Sequence, residues 1–174
     1  MRPAAPTPLR RKVLSRAALK RAVDRLKRQG TRVVFANGCF DLLHIGHVTL
    51  LDRARRLGGA LVVAVNSDRS VRGFKGPGRP VNSERDRAAV LAALACVDYV
   101  TVFDEPTPLE LIRLLKPDVL AKGADWAREE IVGRAEVERH GGRVVRIRLM
   151  RGYSTTRLLE RLARPAGTSC ASLR

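Results

Sequence analysis

Apolar residues fall into two patterns along this chain: short unbroken runs, and longer stretches spaced by three and four. Leu19, Ala22, Val23 and Leu26 share one helical face. The spacing predicts a helix that Ser15 caps, that runs to about Gln29 and that Gly30 ends. Residues 32–36 (RVVFA) predict a short strand. Residues 37–44 predict a glycine-containing turn, and 46–57 a helix that Gly58 and Gly59 stop. The run ALVVAV at 60–65 is apolar at every position, the pattern of a strand covered on both faces. A short helical turn is expected over 68–72, and the Gly- and Pro-rich 73–82 (GFKGPGRPVN) reads as a loop. Asn82 or Ser83 can cap a helix over 84–94, and 99–103 predicts a strand. Thr107 is expected to cap a helix over 109–115, with Pro108 at its first position. A strand over 119–122, a helix over 129–139, a strand over 144–147 and a helix over 155–162 complete the series.

Strands and helices therefore alternate, which predicts an α/β fold: a single Rossmann-like, doubly wound parallel sheet with helices on both faces. Ligands of such sheets bind beyond the carboxyl ends of the strands, near the point where strand order reverses. A chain of 174 residues suits one such domain. The expected organisation is a flexible basic arm over 1–14, one domain over 15–164 and a disordered tail over 165–174. There is no internal repeat.

Composition narrows the setting. No apolar run approaches the roughly 20 residues that a membrane-spanning helix needs. Residues 1–12 are basic and Pro-rich, with no apolar segment behind them to make a signal peptide. Cys39, Cys96 and Cys170 are odd in number and far apart, which argues against a disulfide framework or a structural zinc and fits a reducing cytoplasm. The formal charge of +17 admits a polyanion partner, or arginines on solvated helix faces together with a small anionic substrate. Ten of the positive charges lie between Arg2 and Arg28, and aromatics make up only 4% of the chain. A base-stacking surface is thus poorly supplied, and the small anion is favoured over nucleic acid.

The most informative segment runs from Phe35 to His47 (FANGCFDLLHIGH). A strand ends, the chain turns, and His44 and His47 stand three apart at the start of a helix, on one face. That end carries partial positive charge and free N–H groups, which suit a phosphate. Gly46 leaves room for a ligand to approach the backbone. A second helix start follows Gly152 and Tyr153: Ser154, Thr155, Thr156 and Arg157 offer hydroxyls, N–H groups and a fixed charge to an anion. Alone, the first pattern also describes two surface histidines and the second an ordinary Ser/Thr cap. Together they are what a triphosphate would need.

With these blocks the chain resembles the cytidylyltransferase-like nucleotidyltransferases, whose hallmarks are an H-x-G-H turn and a late Ser/Thr-rich turn. Within that group it is similar to the heptose 1-phosphate adenylyltransferases over about residues 12–162. The shared blocks are NGCFDLLHIGH (37–47), VNSDRSV (65–71), KGPGRPVN (75–82), KGAD (122–125) and STT (154–156). The resemblance implies attack of a sugar 1-phosphate on the α-phosphorus of ATP, with Mg²⁺ accompanying the ATP. A phosphate monoester is mostly a dianion at pH 7, so the nucleophile needs no general base. Cys39 then reads as packing beside the nucleotide rather than as a nucleophile.

In this scheme His44 and His47 meet the α- and β-phosphates. Gly38, Cys39, Phe40 and Asp41 form the turn beneath the nucleotide. Ser154, Thr155, Thr156 and Arg157 hold its far phosphates, Asp125 faces its base or ribose, and Lys122 and Gly123 belong to the same nucleotide site. The resemblance makes Lys75 the mobile lysine of the reaction and places Arg87 at the acceptor phosphate. Asn37, Asn66, Asp68 and Arg85 complete the acceptor side. No acidic cluster marks a metal cage built by the protein. A homodimer is compatible with these features, and the absence of a kinase-length segment suggests a stand-alone form. Where heptose enzymes usually read Gly-Asp-Tyr, this chain has Ala124-Asp125-Trp126, and a Trp here also occurs in glycerol-3-phosphate cytidylyltransferases. A cytidylyltransferase is therefore the nearest alternative. An aminoacyl-tRNA synthetase fragment would share HIGH, but this chain has no K-M-S-K-S block.

Overall fold

The computed structural model describes residues 9–150 and 152–163. Five parallel strands form its centre: β1 (Val33–Gly38), β2 (Ala60–Asn66), β3 (Tyr99–Phe103), β4 (Val119–Gly123) and β5 (Arg143–Ile147). Their spatial order is β3-β2-β1-β4-β5. Phe35 at the centre pairs with Val62 on one side and Leu120 on the other. Strand order reverses between β1 and β4, as the alternating pattern predicts for a doubly wound sheet.

The helices are α1 (Leu9–Lys12), α2 (Arg16–Arg28), α3 (Ile45–Arg55), α4 (Asp68–Lys75), α5 (Glu84–Ala93), α6 (Leu109–Leu115), α7 (Arg134–Arg139) and α8 (Thr155–Ala163). Successive strand residues face opposite ways, so a strand covered on both faces must be apolar throughout. In β2, Leu61, Val63 and Val65 enter one core with Leu51 and Ala54 of α3 and Ala88 and Leu91 of α5. Val62 and Ala64 enter the other, with Leu19 and Val23 of α2 and Leu111, Ile112 and Leu115 of α6. Each of the Val, Leu and Ile side chains contributes about 1.5–3 kcal/mol by leaving water. The Ser15 hydroxyl caps α2 by accepting from the Ala18 N–H at 3.3 Å.

Several boundaries differ from expectation. β1 continues through Asn37 and Gly38, so the turn begins two residues later. α4 is longer than the predicted turn and takes in 73–75, the start of the expected loop. Ser67 caps it through the Ser70 N–H at 3.0 Å, Val71 anchors it in the core, and Gly76, at φ 82°, ends it. Tertiary anchoring thus outweighs the poor helix propensity of Gly73. Pro108, not Thr107, occupies the cap position of α6, with no side-chain cap bond. The helix expected over 129–139 is divided into a 3₁₀ turn at Arg128–Glu130 and α7, because Gly133 takes a left-handed conformation and Ile131 turns into the second core.

The expected arm needs correction over residues 9–14. Lys12 Nζ donates to the carbonyls of Leu94 and Val97 at 3.2 and 2.8 Å. Val13 bridges to Val100, and the Leu14 N–H donates to the Val100 carbonyl at 2.9 Å. This segment lies along the edge of β3. Residues 1–8 of the arm and the tail over 165–174 lie outside the described residues. Among the described residues no helix is long and apolar enough to cross a membrane.

Candidate active site

β1 and β4 end side by side at the reversal point, where a doubly wound sheet opens to a ligand. Beyond β1 the chain turns sharply. Phe40 takes φ 48°, a left-handed conformation that a bulky residue adopts at a cost of about 1–3 kcal/mol. Its ring offsets that cost by packing into the first core, and it stands edge-on to His47 with centroids 5.3 Å apart. Asp41 is buried beneath it and accepts hydrogen bonds from the Val81 and Asn82 N–H groups at 2.7 and 3.2 Å.

The two imidazoles stack, with ring centroids 3.8 Å apart and planes at 19°. His44 is the cap residue of α3 and makes no side-chain cap bond, so first-turn N–H groups of that helix stay open to an anion. The Nδ1 atoms of both rings are buried without a protein partner. Gly46 serves this packing directly. A β-carbon there would lie 3.0 Å from His44 Nδ1 and 3.3 Å from the β-carbon of Tyr153. The room at Gly46 is therefore filled by the His44 ring and Tyr153, as well as facing the ligand side. Burial, then the neighbouring His44 and Lys75, push His47 down to about 4, against a Leu42 carbonyl that favours its proton. Burial lowers His44 as well. Burial thus favours the neutral form of both rings, and an anion beside them makes protonation more favourable.

One cavity of about 940 Å³ brings the predicted groups together. Asn37, Gly38, Cys39, Phe40, Asp41, His44 and His47 line it from the β1 turn. Lys122, Gly123 and Asp125 line it from the end of β4, Asn66 from the end of β2 and Lys75 from the last turn of α4. Ser154, Thr155 and Thr156 line it from the start of α8, where the Ser154 hydroxyl accepts from the Arg157 N–H at 3.1 Å. The Tyr153 ring sits 6.4 Å from that of His44, which joins the two helix starts. Burial pushes Lys122 down to about 8, opposed chiefly by the charge of Asp125. Burial also raises the Cys39 thiol, the direction opposite to that of an activated nucleophile.

Four predicted residues do not line this cavity. Arg85 and Arg157 are exposed outside it. Arg87 is corrected outright: its side chain is fully withdrawn from solvent and bonded to Asn82, Cys39 and Asp68, so it is closed to an acceptor phosphate. Asp68 is its partner, and its carboxylate is engaged there. Sequence reasoning missed Arg69 and Asp104, an ion pair at the β2–β3 end of the cavity. It also gave no role to Phe74, Leu149, Met150 or Tyr153, and Trp126 stood only as a departure, although Lys122 Nζ lies 5.7 Å from its ring centroid. The signal available for Asp104 was its place immediately after a strand's carboxyl end. Among the described residues no group of three or more His, Cys, Asp or Glu could hold a metal ion.

Comparison with known proteins agrees with this geometry. The cytidylyltransferase-like family model matches residues 35–161. The bifunctional protein HldE of Syntrophotalea carbinolica is 55% identical over 151 residues, which cover 87% of this chain and 31% of that protein. The chain thus spans about a third of the length of the curated relatives it matches. A lipopolysaccharide core biosynthesis protein from Thermoplasma volcanium is 30% identical with TM-score 0.59, covering 70% of this chain and 98% of its own. Pantoate-beta-alanine ligase from Francisella tularensis, 16% identical with TM-score 0.61 over 80% of this chain and 67% of its own, shares the fold. The H-x-G-H turn, the sheet order and the matched span agree: the chain belongs to the cytidylyltransferase-like family of nucleotidyltransferases.

Proposed function

We propose that this chain transfers AMP from ATP to D-glycero-β-D-manno-heptose 1-phosphate, giving ADP-heptose and pyrophosphate. The observation that carries the reading is the single cavity shared by the stacked imidazoles and the Ser154, Thr155 and Thr156 turn. The heptose acceptor is supported by sequence blocks outside the H-x-G-H turn. It also fits relatives named HldE and a lipopolysaccharide core biosynthesis protein.

In this reading an acceptor phosphate oxygen forms a bond to the α-phosphorus, and the bond to the β-phosphate oxygen breaks, its electron pair leaving with pyrophosphate. The protein's task is to bring two anions together and to neutralise the charge that develops between them. His44 and His47 meet the α- and β-phosphates, and the α8 N-terminus takes the far end of the triphosphate. Lys75 reaches the reacting phosphates from the end of α4. Lys122 and Asp125 lie on the nucleoside side. Asn37 and Asn66 lie on the acceptor side. ATP arrives as its Mg²⁺ complex, with phosphate oxygens and water as the ion's main ligands. The enzyme acts in the cytoplasm, and a homodimer is compatible with this reading.

The deciding experiment is pyrophosphate release with ATP or CTP against a small panel of phosphates. Heptose 1-phosphate with ATP is expected to give the highest kcat/KM. Preference for CTP and glycerol 3-phosphate would replace this reading with the cytidylyltransferase one, which Trp126 at the cavity wall favours. His44→Ala and His47→Ala should each lower kcat by about two orders of magnitude, since one lost charge-stabilising contact is worth about 3 kcal/mol in the transition state. Near-normal turnover in both variants would remove the imidazoles from the chemistry.

A further inference from the structure

Arg87 heads the largest side chains withdrawn completely from solvent among the described residues. A guanidinium is tolerated there only if its donors are satisfied. Its Nε donates to the Asn82 carbonyl at 3.0 Å, its Nη1 to the Cys39 carbonyl at 2.6 Å and its Nη2 to Asp68 Oδ1 at 2.7 Å. These partners belong to three different segments: the loop before α5, the turn after β1 and the first residue of α4. A second layer ties the same segments. Asn82 Nδ2 donates to the Asp41 carbonyl at 2.9 Å, and the Asp68 N–H donates to Glu84 Oε2 at 2.8 Å. α4 is therefore held at its first residue through both its N–H and its carboxylate. Lys75 is the last residue of that helix, about 10 Å further along its axis.

We infer that Arg87 is a positioning residue: its buried guanidinium fixes the helix that carries Lys75 against the turn beneath the nucleotide, and it does not touch the acceptor. The inference rests on the nucleotidyl-transfer reading for its kinetic consequence, but its structural consequence is independent of activity.

Two variants test it. Asp68→Asn keeps the side chain's size and removes the ion pair, and Arg87→Lys keeps the charge but not the three-way fork. By hydrogen exchange of the whole chain, both should speed exchange in α4 and residues 76–82 and leave α2 and the strands unchanged. In turnover, kcat should fall as much as about a hundredfold, the scale of a small misplacement of a reacting group, with acceptor KM almost unchanged. In a Lys75→Ala background, Asp68→Asn should cost no more than about threefold further, because it acts through that lysine. Unchanged exchange in α4 would overturn the inference. So would losses that multiply in the double variant, or a raised acceptor KM with kcat intact, the signature of direct acceptor contact. If the unaltered protein releases no pyrophosphate with any acceptor, the nucleotidyl-transfer reading fails, while the exchange measurement still decides the role of Arg87.

Discussion

Burial, His44 and Lys75 each disfavour a proton on His47. The unfolded chain takes up this proton near 6.5 and the folded chain only at about 4. The stabilisation that this neutral ring represents is full above about pH 6.5 and declines as pH falls from there to about 4. A triphosphate beside the ring reverses the balance and raises its affinity for a proton. ATP binding at a pH between these values should therefore take up a proton, and the binding heat should change with the ionisation enthalpy of the buffer. Identical heats in all buffers would place the triphosphate away from His47. At this scale sequence reading does well where chemistry is local. The histidines are legible because they stand three apart at a helix start, and Ser154 because it caps a helix. Arg87 is not legible, because its acceptors lie 5, 19 and 48 residues away and only folding brings them to it. Its charge is visible in the sequence, and its burial is not.

Elements whose cores are strongly patterned match their expected spans to within a few residues, as α2, β2 and β3 do. The departures fall where a glycine has to be read in two ways. Gly73 sits inside α4, carried by the anchors on either side of it, whereas Gly133 divides a helix that periodicity alone would draw as continuous. Gly133 has φ 88°, and a β-carbon there would meet Ile112 Cδ1 at 2.4 Å. Gly133→Ala should therefore destabilise the protein by about 1–3 kcal/mol despite alanine's higher helix propensity. Urea denaturation checks this, and an equally or more stable variant would mean that the left-handed turn is not required. The α4 boundary matters for function. It moves Lys75 from an expected loop to the end of a helix, so its reach depends on how that helix is fixed at Asp68.

For the molecule as a whole, alternation alone predicts the sheet, and the observed order supplies the reversal point at which the cavity forms. The charge of +17 is what remains after all 17 acidic residues are counted against 34 Lys and Arg, so ion pairs within the fold do not reduce it. Arg16 pairs with Glu105, Arg55 with Asp98 and Arg113 with Glu110 and Glu136, so these arginines have local partners, while the excess faces solvent or an anionic ligand. What the sequence conceals at this scale is the job of residues 9–14. Their polar, basic look suggests a loose arm, yet Val13, Leu14 and Lys12 each engage β3 or the chain leading into it.

That engagement gives β3, one of the sheet's two edge strands, a neighbour. A version of the chain shortened to begin at Ser15 would leave the Val100 carbonyl without the Leu14 amide, opening a rim on which other molecules can continue the sheet. Such a version should form large, open-ended assemblies that grow with concentration by light scattering, while the longer chain keeps one discrete size; if both behave alike, the segment is dispensable as a cover. Residues 12–14 then act as a bung at this rim, keeping the β3 side of one molecule from becoming the first strands of the next.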